Sequence, residues 1–262
     1  VAAPTRPGNY REQAKTYDLT RGASPTIVRA VAEHLGEPRG RTLLDIAGGT
    51  GNYAQVFATR GFRVTVVDAQ LAMLEHSARK LGGGHAVAGE AAHLPFSDGS
   101  FDCATLVHAV HLLQDPSPAL REAHRVLREG PLVAVDPTRE NAPLFVHEYF
   151  GLHPPDDARP SAEDIALLLR RAGFATVEHH PFVYTDTADG SLHALHTNAL
   201  HLAGPAYLRN TSFWYGLDEE ARRAGLDALA RDLRSGRLEE RVRAHYLEAA
   251  VRGHETVFAA WP

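Results

Sequence analysis

Between residues 41 and 180 the chain alternates short β-rich apolar runs with amphipathic stretches of about three helical turns. No other feature limits the possible folds as tightly. The runs are 42–47 (TLLDIA), 62–67 (FRVTVV), a brief one near 85–88, 101–108 (FDCATLVH), 132–136 (LVAVD) and 175–180. Between them the spacing predicts helices over 52–60, closed by Gly61, and over 70–81, 117–128 and 162–172. The last of these opens on Ser161-x-x-Asp164, the pattern of a reciprocal N-terminal cap, and stops at Gly173. Strands and helices in turn imply an α/β fold: a Rossmann-like, mostly parallel sheet with helices on both faces.

The rhythm breaks at residue 186. Residues 186–253 begin with histidines and small residues and become strongly helical, with Leu217, Leu226, Leu229, Leu233, Leu238, Val242 and Tyr246 as the apolar face. The run 254-HETVFAAW-261 then reads as a last strand pairing with the one near 175–184. That makes 186–253 a helical lid inserted before the last strand, and 137–160 a second, shorter insertion around Phe145, Tyr149 and Phe150. The expected organisation is a polar helical segment over 1–40, an α/β core over 41–185 with 254–262, and the 186–253 insertion. A net charge of -5 gives no electrostatic footprint for nucleic acid or an anionic membrane. The single cysteine, Cys103, excludes an intrachain disulfide framework and suits a reducing cytoplasm. No apolar run approaches the roughly 20 residues of a membrane span. The opening VAAPTRPGNYR also lacks the pattern of a signal peptide. A cytoplasmic protein is expected, whose N-terminal helices and insertion leave room for a homo-oligomer.

In an open parallel sheet, ligands collect at the carboxyl ends of the strands, where strand order reverses. Here those ends carry 43-LLDIAGGTGNYA-54, whose Gly49, Gly51 and Ala54 fit the permissive dinucleotide pattern. Asp68 ends the second strand, where a carboxylate can accept both hydroxyls of a ribose. Asp45 separates the candidate ligands. A carboxylate just before the turn would repel a pyrophosphate and suits an ammonium group, such as the amino-acid end of S-adenosylmethionine.

Four segments in order also resemble class I S-adenosylmethionine-dependent methyltransferases of the type 11, ubiquinone-methyltransferase-like branch. LLDIAGGTG resembles their first motif and VVDAQLAMLEHSARK their second-strand segment. GEAAHLPFSDGSFDCATLVHAVHLLQDPSPALREAHRVLREG resembles the stretch through the fourth strand, and YDLTRGAS the segment preceding the first motif. The likeness covers roughly 10–136 well, 161–184 moderately and the insertion thinly. It implies that Asp45 faces the methionine ammonium and that Gly49 and Gly51 line methionine and ribose. Asp68 would take the ribose hydroxyls, Ala69 or Leu71 would flank the adenine, and Glu90 with Ala91 would meet its amino edge. Ala47 stands where the family usually has glycine, which implies a tighter pocket. The N-terminal segment, 1–40, would cover the cofactor site. The expected reaction is in-line methyl transfer to a small organic molecule, a specialised metabolite, with S-adenosyl-L-homocysteine as product. The competing readings are a NAD(P)-dependent oxidoreductase, for which no hydride-transfer set is recognisable, and a protein on this fold that binds the cofactor without methylating.

His108 and His111 follow the fourth strand, where the methyl group should emerge, and a histidine often stands at the position of His111 in related enzymes. They are the candidate bases, since imidazole suits proton transfer near neutral pH; His108 is also a candidate cofactor contact. Tyr17 is the candidate catalytic aromatic of the N-terminal segment and Tyr10 a candidate acceptor contact. Arg21 reads as a surface arginine, with the cofactor carboxylate as its alternative partner. His147, Tyr149 and Trp214 are further candidates for the acceptor wall, with His153 near them. His193, His196 and His201 lack a carboxylate or cysteine at ligand spacing, so no metal site is expected and these side chains should line the acceptor pocket or face solvent. Cys103 and the doublet His179-His180 read as structural.

Overall fold

The computed structural model describes residues 10–82, 85–152 and 159–262. The N-terminal segment forms two single-turn helices, α1 (Tyr10–Gln13) and α2 (Tyr17–Thr20), before the longer α3 (Pro25–Leu35). Among the described residues seven strands make one sheet: β1 (Thr42–Ile46), β2 (Arg63–Asp68), β3 (Ala86–Ala88), β4 (Cys103–Val107), β5 (Leu132–Asp136), β6 (Thr176–Phe182) and β7 (Glu255–Trp261). Their order is β3-β2-β1-β4-β5-β7-β6. The first five are parallel, and β7 runs antiparallel between β5 and β6, so that Val257 faces Val135 on one side and His180 on the other. The expected α/β sheet and the pairing of the last strand with 175–184 are both present.

Side chains alternate across the strands and bury both faces. On one face Leu44, Ile46, Leu132, Ala134, Phe258 and Ala260 pack against α6 (Ser117–Val126) and α8 (Ala162–Ala172). On the other, Leu43, Val133, Val135 and Val257 meet α3, α4 (Asn52–Thr59) and α5 (Leu71–Leu81). The Ser161–Asp164 capping box and the left-handed Gly173 bound α8 as the sequence indicates. Helix α6 stops at Val126, two residues early, because Leu127 turns extended to bridge Phe101.

Both insertions contribute to a third core. The 137–160 stretch supplies α7 (Val146–Tyr149) with Val146 and Phe150. Residues 186–253 supply the short α9 (Leu192–Leu195), α10 (Ala199–Leu202) and α11 (Pro205–Leu208), then the long α12 (Glu219–Ser235) and α13 (Arg237–Arg252). Leu202, Leu208, Trp214, Leu229 and Leu238 fill the space between them. Tyr246 does not join that apolar face: it is 39% exposed. Gly225 lets α12 sit on the Phe150 ring, since a Cβ there would lie 2.2 Å from Cδ1.

The insertion and the N-terminal segment interlock. The Gly22 amide donates to the Ala188 carbonyl at 2.7 Å, and Ser24 Oγ and Thr26 Oγ1 donate to Asp186 Oδ2. Asn210 Nδ2 donates to Thr20 Oγ1 and to the Thr16 carbonyl. Together they roof the carboxyl ends of β1, β2, β4 and β5.

Candidate active site

Strand order reverses between β1 and β4, and the crevice this opens is one cavity of about 1050 Å³. One end lies over the turn after β1. Asp45 is buried there, accepting a hydrogen bond from Thr105 Oγ1 at 2.8 Å. Burial raises its carboxyl to about 7, against the lowering effect of the Thr105 hydrogen bond, and nearby Asp68 adds to the rise. Ala47 turns the chain in the left-handed region (φ 54°). Gly48 then passes so close that a Cβ would lie 2.5 Å from Asp45 Oδ2. The Gly49 amide donates to Asp68 Oδ2 and the Gln70 amide to Asp68 Oδ1. These bonds fix the second carboxylate at the cavity edge, and burial raises its pKa as well. Two carboxylates, Asp45 buried and Asp68 half-buried, fit a ligand that brings an ammonium group and hydroxyl donors, and they oppose a pyrophosphate.

Asp45, Ala47, Gly49, Asp68, Ala69, Glu90 and Ala91 all line this end, together with Tyr10 and Tyr17 from the cover. Two of the sequence expectations fail. Leu71 is 65% exposed on the outer face of α5, and its neighbours Gln70 and Met73 reach the cavity instead, because Leu71 is the first residue of the helix and faces outward. Gly51 is not at the cavity wall. It starts α4 in the left-handed region (φ 75°), packed so tightly on α5 that a Cβ would lie 2.7 Å from Ser77 Oγ. Asp18, unremarkable in sequence, ties the cover to the turn by accepting from Thr50 Oγ1 at 2.7 Å and pairing with Lys80 at 2.8 Å.

The other end of the cavity lies under the insertions, walled by Leu144, Phe145, His147, Phe213 and His245. Burial depresses the His147 imidazole to about 4, and His193 and Arg159 add to the fall, so it faces the cavity neutral. Tyr149 and Trp214 are not in that wall. The Tyr149 hydroxyl donates to Asp232 Oδ2 at 2.7 Å, and Trp214 is buried in the third core with the Arg222 guanidinium over its ring. Both aromatic side chains serve packing within the insertions. His196 is fully buried, donating from Nδ1 to the Leu192 carbonyl and accepting the Val146 amide; His201 stacks on Tyr207. His153 lies outside the described residues.

Between the two ends stand the candidate bases, and they differ. His111 Nδ1 lies 2.7 Å from Asp136 Oδ1 and donates to it, leaving Nε2 to accept on the cavity side. Asp136 is buried and held by the Val110 amide. His108 leaves β4 in the left-handed region (φ 54°) and has no such lone pair. Its Nε2 is 2.7 Å from Glu255 and its Nδ1 3.3 Å from Asp189. Burial alone would discharge this ring, but the two carboxylates outweigh it and hold its pKa up at about 10. A ring that donates from both nitrogens is an imidazolium, so His108 lines the cavity but is no base there. Arg21 is largely withdrawn from solvent, its side chain 11% exposed and its Nε 2.8 Å from Asp189 Oδ1, which corrects its reading as a surface arginine.

Residues 44–135 match the model of a methyltransferase domain family. The chain is 30% identical over 197 residues to an O-methyltransferase of Aspergillus nomiae, covering 70% of this chain and 83% of that protein. It is 32% identical over 147 residues to the demethylmenaquinone methyltransferase of Renibacterium salmoninarum, covering 54% of this chain and 59% of the length of that enzyme. In fold it resembles a structure from Anabaena variabilis named as a methyltransferase of an antibiotic biosynthesis pathway, with TM-score 0.78 and 21% identity over 93% of this chain and 99% of that one. On these matches the chain belongs to the class I S-adenosylmethionine-dependent methyltransferases, in their type 11 branch.

Proposed function

We propose that this chain methylates a small organic molecule, a specialised metabolite, held between the cofactor turn and the two insertions. The observation that carries the reading is the single cavity, which runs from Asp45 and Asp68 to Phe213 and His245 with the His111–Asp136 pair between. Its volume, about 1050 Å³, stands at the upper end of the roughly 300–1,000 Å³ of ligand pockets, which leaves room for cofactor and acceptor together. The O-methyltransferase of Aspergillus nomiae, similar over most of its length, and the net charge of -5 support a small acceptor over nucleic acid.

Asp45 would hold the cofactor ammonium, Asp68 the ribose hydroxyls, and Arg21 lies within the same wall for the carboxylate. When bound, S-adenosylmethionine supplies an electrophilic methyl carbon on a sulfonium. The work of the protein is then alignment, which is worth several kcal/mol when nucleophile and methyl carbon are held in line. His111, on the cavity wall between the two ends, would take on Nε2 the proton that the acceptor nucleophile gives up. Asp136 fixes the tautomer and steadies the imidazolium that forms. Neutral His147 and the Phe145 and Phe213 rings would orient the acceptor without adding charge.

Thermal shift with separate cofactors tests the first half of this reading. S-adenosylhomocysteine should raise the melting temperature and NADH should not; stabilisation by NADH alone would overturn it. Turnover of methyl-labelled cofactor against a metabolite extract, followed by mass analysis, tests the second half. Label appearing only in protein or nucleic acid would exclude a small acceptor.

A further inference from the structure

A string of charged and hydrogen-bonded groups, with Asp189, His193 and Glu255 buried, crosses the cavity wall from its cofactor end to its acceptor end. Arg21 Nε donates to Asp189 Oδ1 at 2.8 Å, and Asp189 Oδ2 lies 3.3 Å from His108 Nδ1. His108 Nε2 donates to Glu255 Oε2 at 2.7 Å, and Glu255 Oε1 lies 3.1 Å from His193 Nδ1. His193 Nε2 accepts from Arg159 at 3.2 Å. The arginine at its far end fixes the tautomer of His193. Arginine only donates, so Nε2 of His193 carries a lone pair and its Nδ1 a proton. The Tyr184 hydroxyl donates to Glu255 and that of Tyr53 to Asp189.

Each link joins a different part of the chain. Arg21 belongs to the N-terminal cover, Tyr53 to the helix after the glycine turn, His108 to the end of β4 and Glu255 to β7. Asp189 and His193 belong to the insertion. Buried ion pairs add little net stability once desolvation is counted, so the main effect of such a string is to fix geometry. Asp189 is its junction: one carboxylate from the insertion holds the arginine of the cofactor end, the first aromatic of the cofactor helix and the cationic His108.

We infer that Asp189 is a positioning residue of the cofactor site, through which the insertion is set in place against bound S-adenosylmethionine. The inference rests on the cofactor assignment above. Without Asp189, Arg21 and Tyr53 lose their common anchor at the methionine end, and the 186–202 stretch loses one of its attachments to the sheet, the other being His193 on Glu255. Cofactor binding and ordering of the acceptor cover are therefore linked through one side chain, and each should strengthen the other.

The test is titration of S-adenosylhomocysteine by calorimetry, with hydrogen exchange of the 186–202 amides measured in the same samples. In the wild-type chain the ligand should slow that exchange. Asp189→Asn should weaken binding about tenfold, as expected for a lost charge-assisted hydrogen bond, and abolish the ligand-induced protection. If Asp189→Asn does not fold, Tyr53→Phe leaves every charge in place and should weaken binding about threefold with partial loss of protection. Wild-type affinity in the folded variants, or protection of 186–202 that persists in them, would overturn the inference. No binding by the wild-type chain would instead overturn the cofactor assignment beneath it.

Discussion

Nδ1 of His111 donates to Oδ1 of Asp136 across 2.7 Å, while His108, three residues earlier, gives both ring protons to carboxylates. Two histidines that follow one strand are therefore held in different hydrogen-bonding states. His111→Gln should lower kcat by about a hundredfold or more, the usual share of a general base, and leave S-adenosylhomocysteine affinity unchanged. Asp136→Asn should follow it in direction. Single-turnover kinetics with labelled cofactor and saturating acceptor check both, and full activity in either would remove the dyad from the chemistry.

Asp45 makes cofactor affinity and protein stability move in opposite directions with pH. Its folded pKa, about 7, lies above the ordinary carboxyl value, so between about pH 4 and 7 the folded state holds a proton that the unfolded state has lost. Its contribution to stability therefore falls as pH rises through that window. The ionised form is the one that pairs with an ammonium, so cofactor affinity should rise over the upper part of the same window. Calorimetry and denaturant melts from pH 5.5 to 8 would show the two trends, and Asp45→Asn should flatten both.

Ala47→Gly should stabilise the protein slightly. An alanine in the left-handed region costs about 1–2 kcal/mol, whereas the extra chain entropy of glycine costs about 0.5–1 kcal/mol. The difference, roughly 0.5–1 kcal/mol, should raise the melting temperature by a few degrees in a chain of this size. Scanning calorimetry decides it; a lower melting temperature would mean that the Ala47 methyl group has a packing role that outweighs its strain.

Gly190→Ala should separate the insertion from the N-terminal segment. A Cβ at 190 would lie 2.1 Å from the Thr20 carbonyl oxygen, a backbone atom with little freedom to move. Overpacking of this kind costs about 1–3 kcal/mol. Limited proteolysis should find new cleavage near residues 20–26 and 186–190, while the sheet keeps its protection. An unchanged digestion pattern would show that the two segments can shift together.

Trp214→Phe should leave the acceptor KM within about twofold of wild type, because the indole packs inside the third core and not on the cavity. The same change should lower the melting temperature. Steady-state kinetics with the identified acceptor would expose any direct contact.

The sheet and its cofactor turn were legible because their signals are local. Period-two runs, a capping box and an acid before a glycine turn each act over a few residues, and Asp45 and Asp68 sit where that reading puts them. The side chains that complete the site come from far along the chain. Asp189 lies in a polar loop, TDTADGS, that looks like any turn, and Glu255 opens the last strand 147 residues beyond its partner His108. One clue was available for Glu255: a lone acid within the apolar run HETVFAAW calls for a buried partner. His108 was misread for the same reason, since nothing near it in sequence reveals that both its nitrogens are engaged. Trp214 and Tyr149 fell into the third core because an aromatic in a helical insertion carries no mark of which surface it faces.

The placement of β7 also dictates how the molecule must be made. The strand nearest the C-terminus of the sheet is not at its edge but is wedged between β5 and β6, so Ala260 meets Leu132 on one side and Val177 on the other. Until residues 255–261 leave the ribosome, β5 and β6 both expose open backbone edges, and the helices of 186–253 must be made while that gap persists. The sheet therefore closes last, through contacts of long sequence separation, which are slow to form. A nascent chain stalled short of residue 255 would carry two unpaired edges, the form most prone to pair with a neighbour.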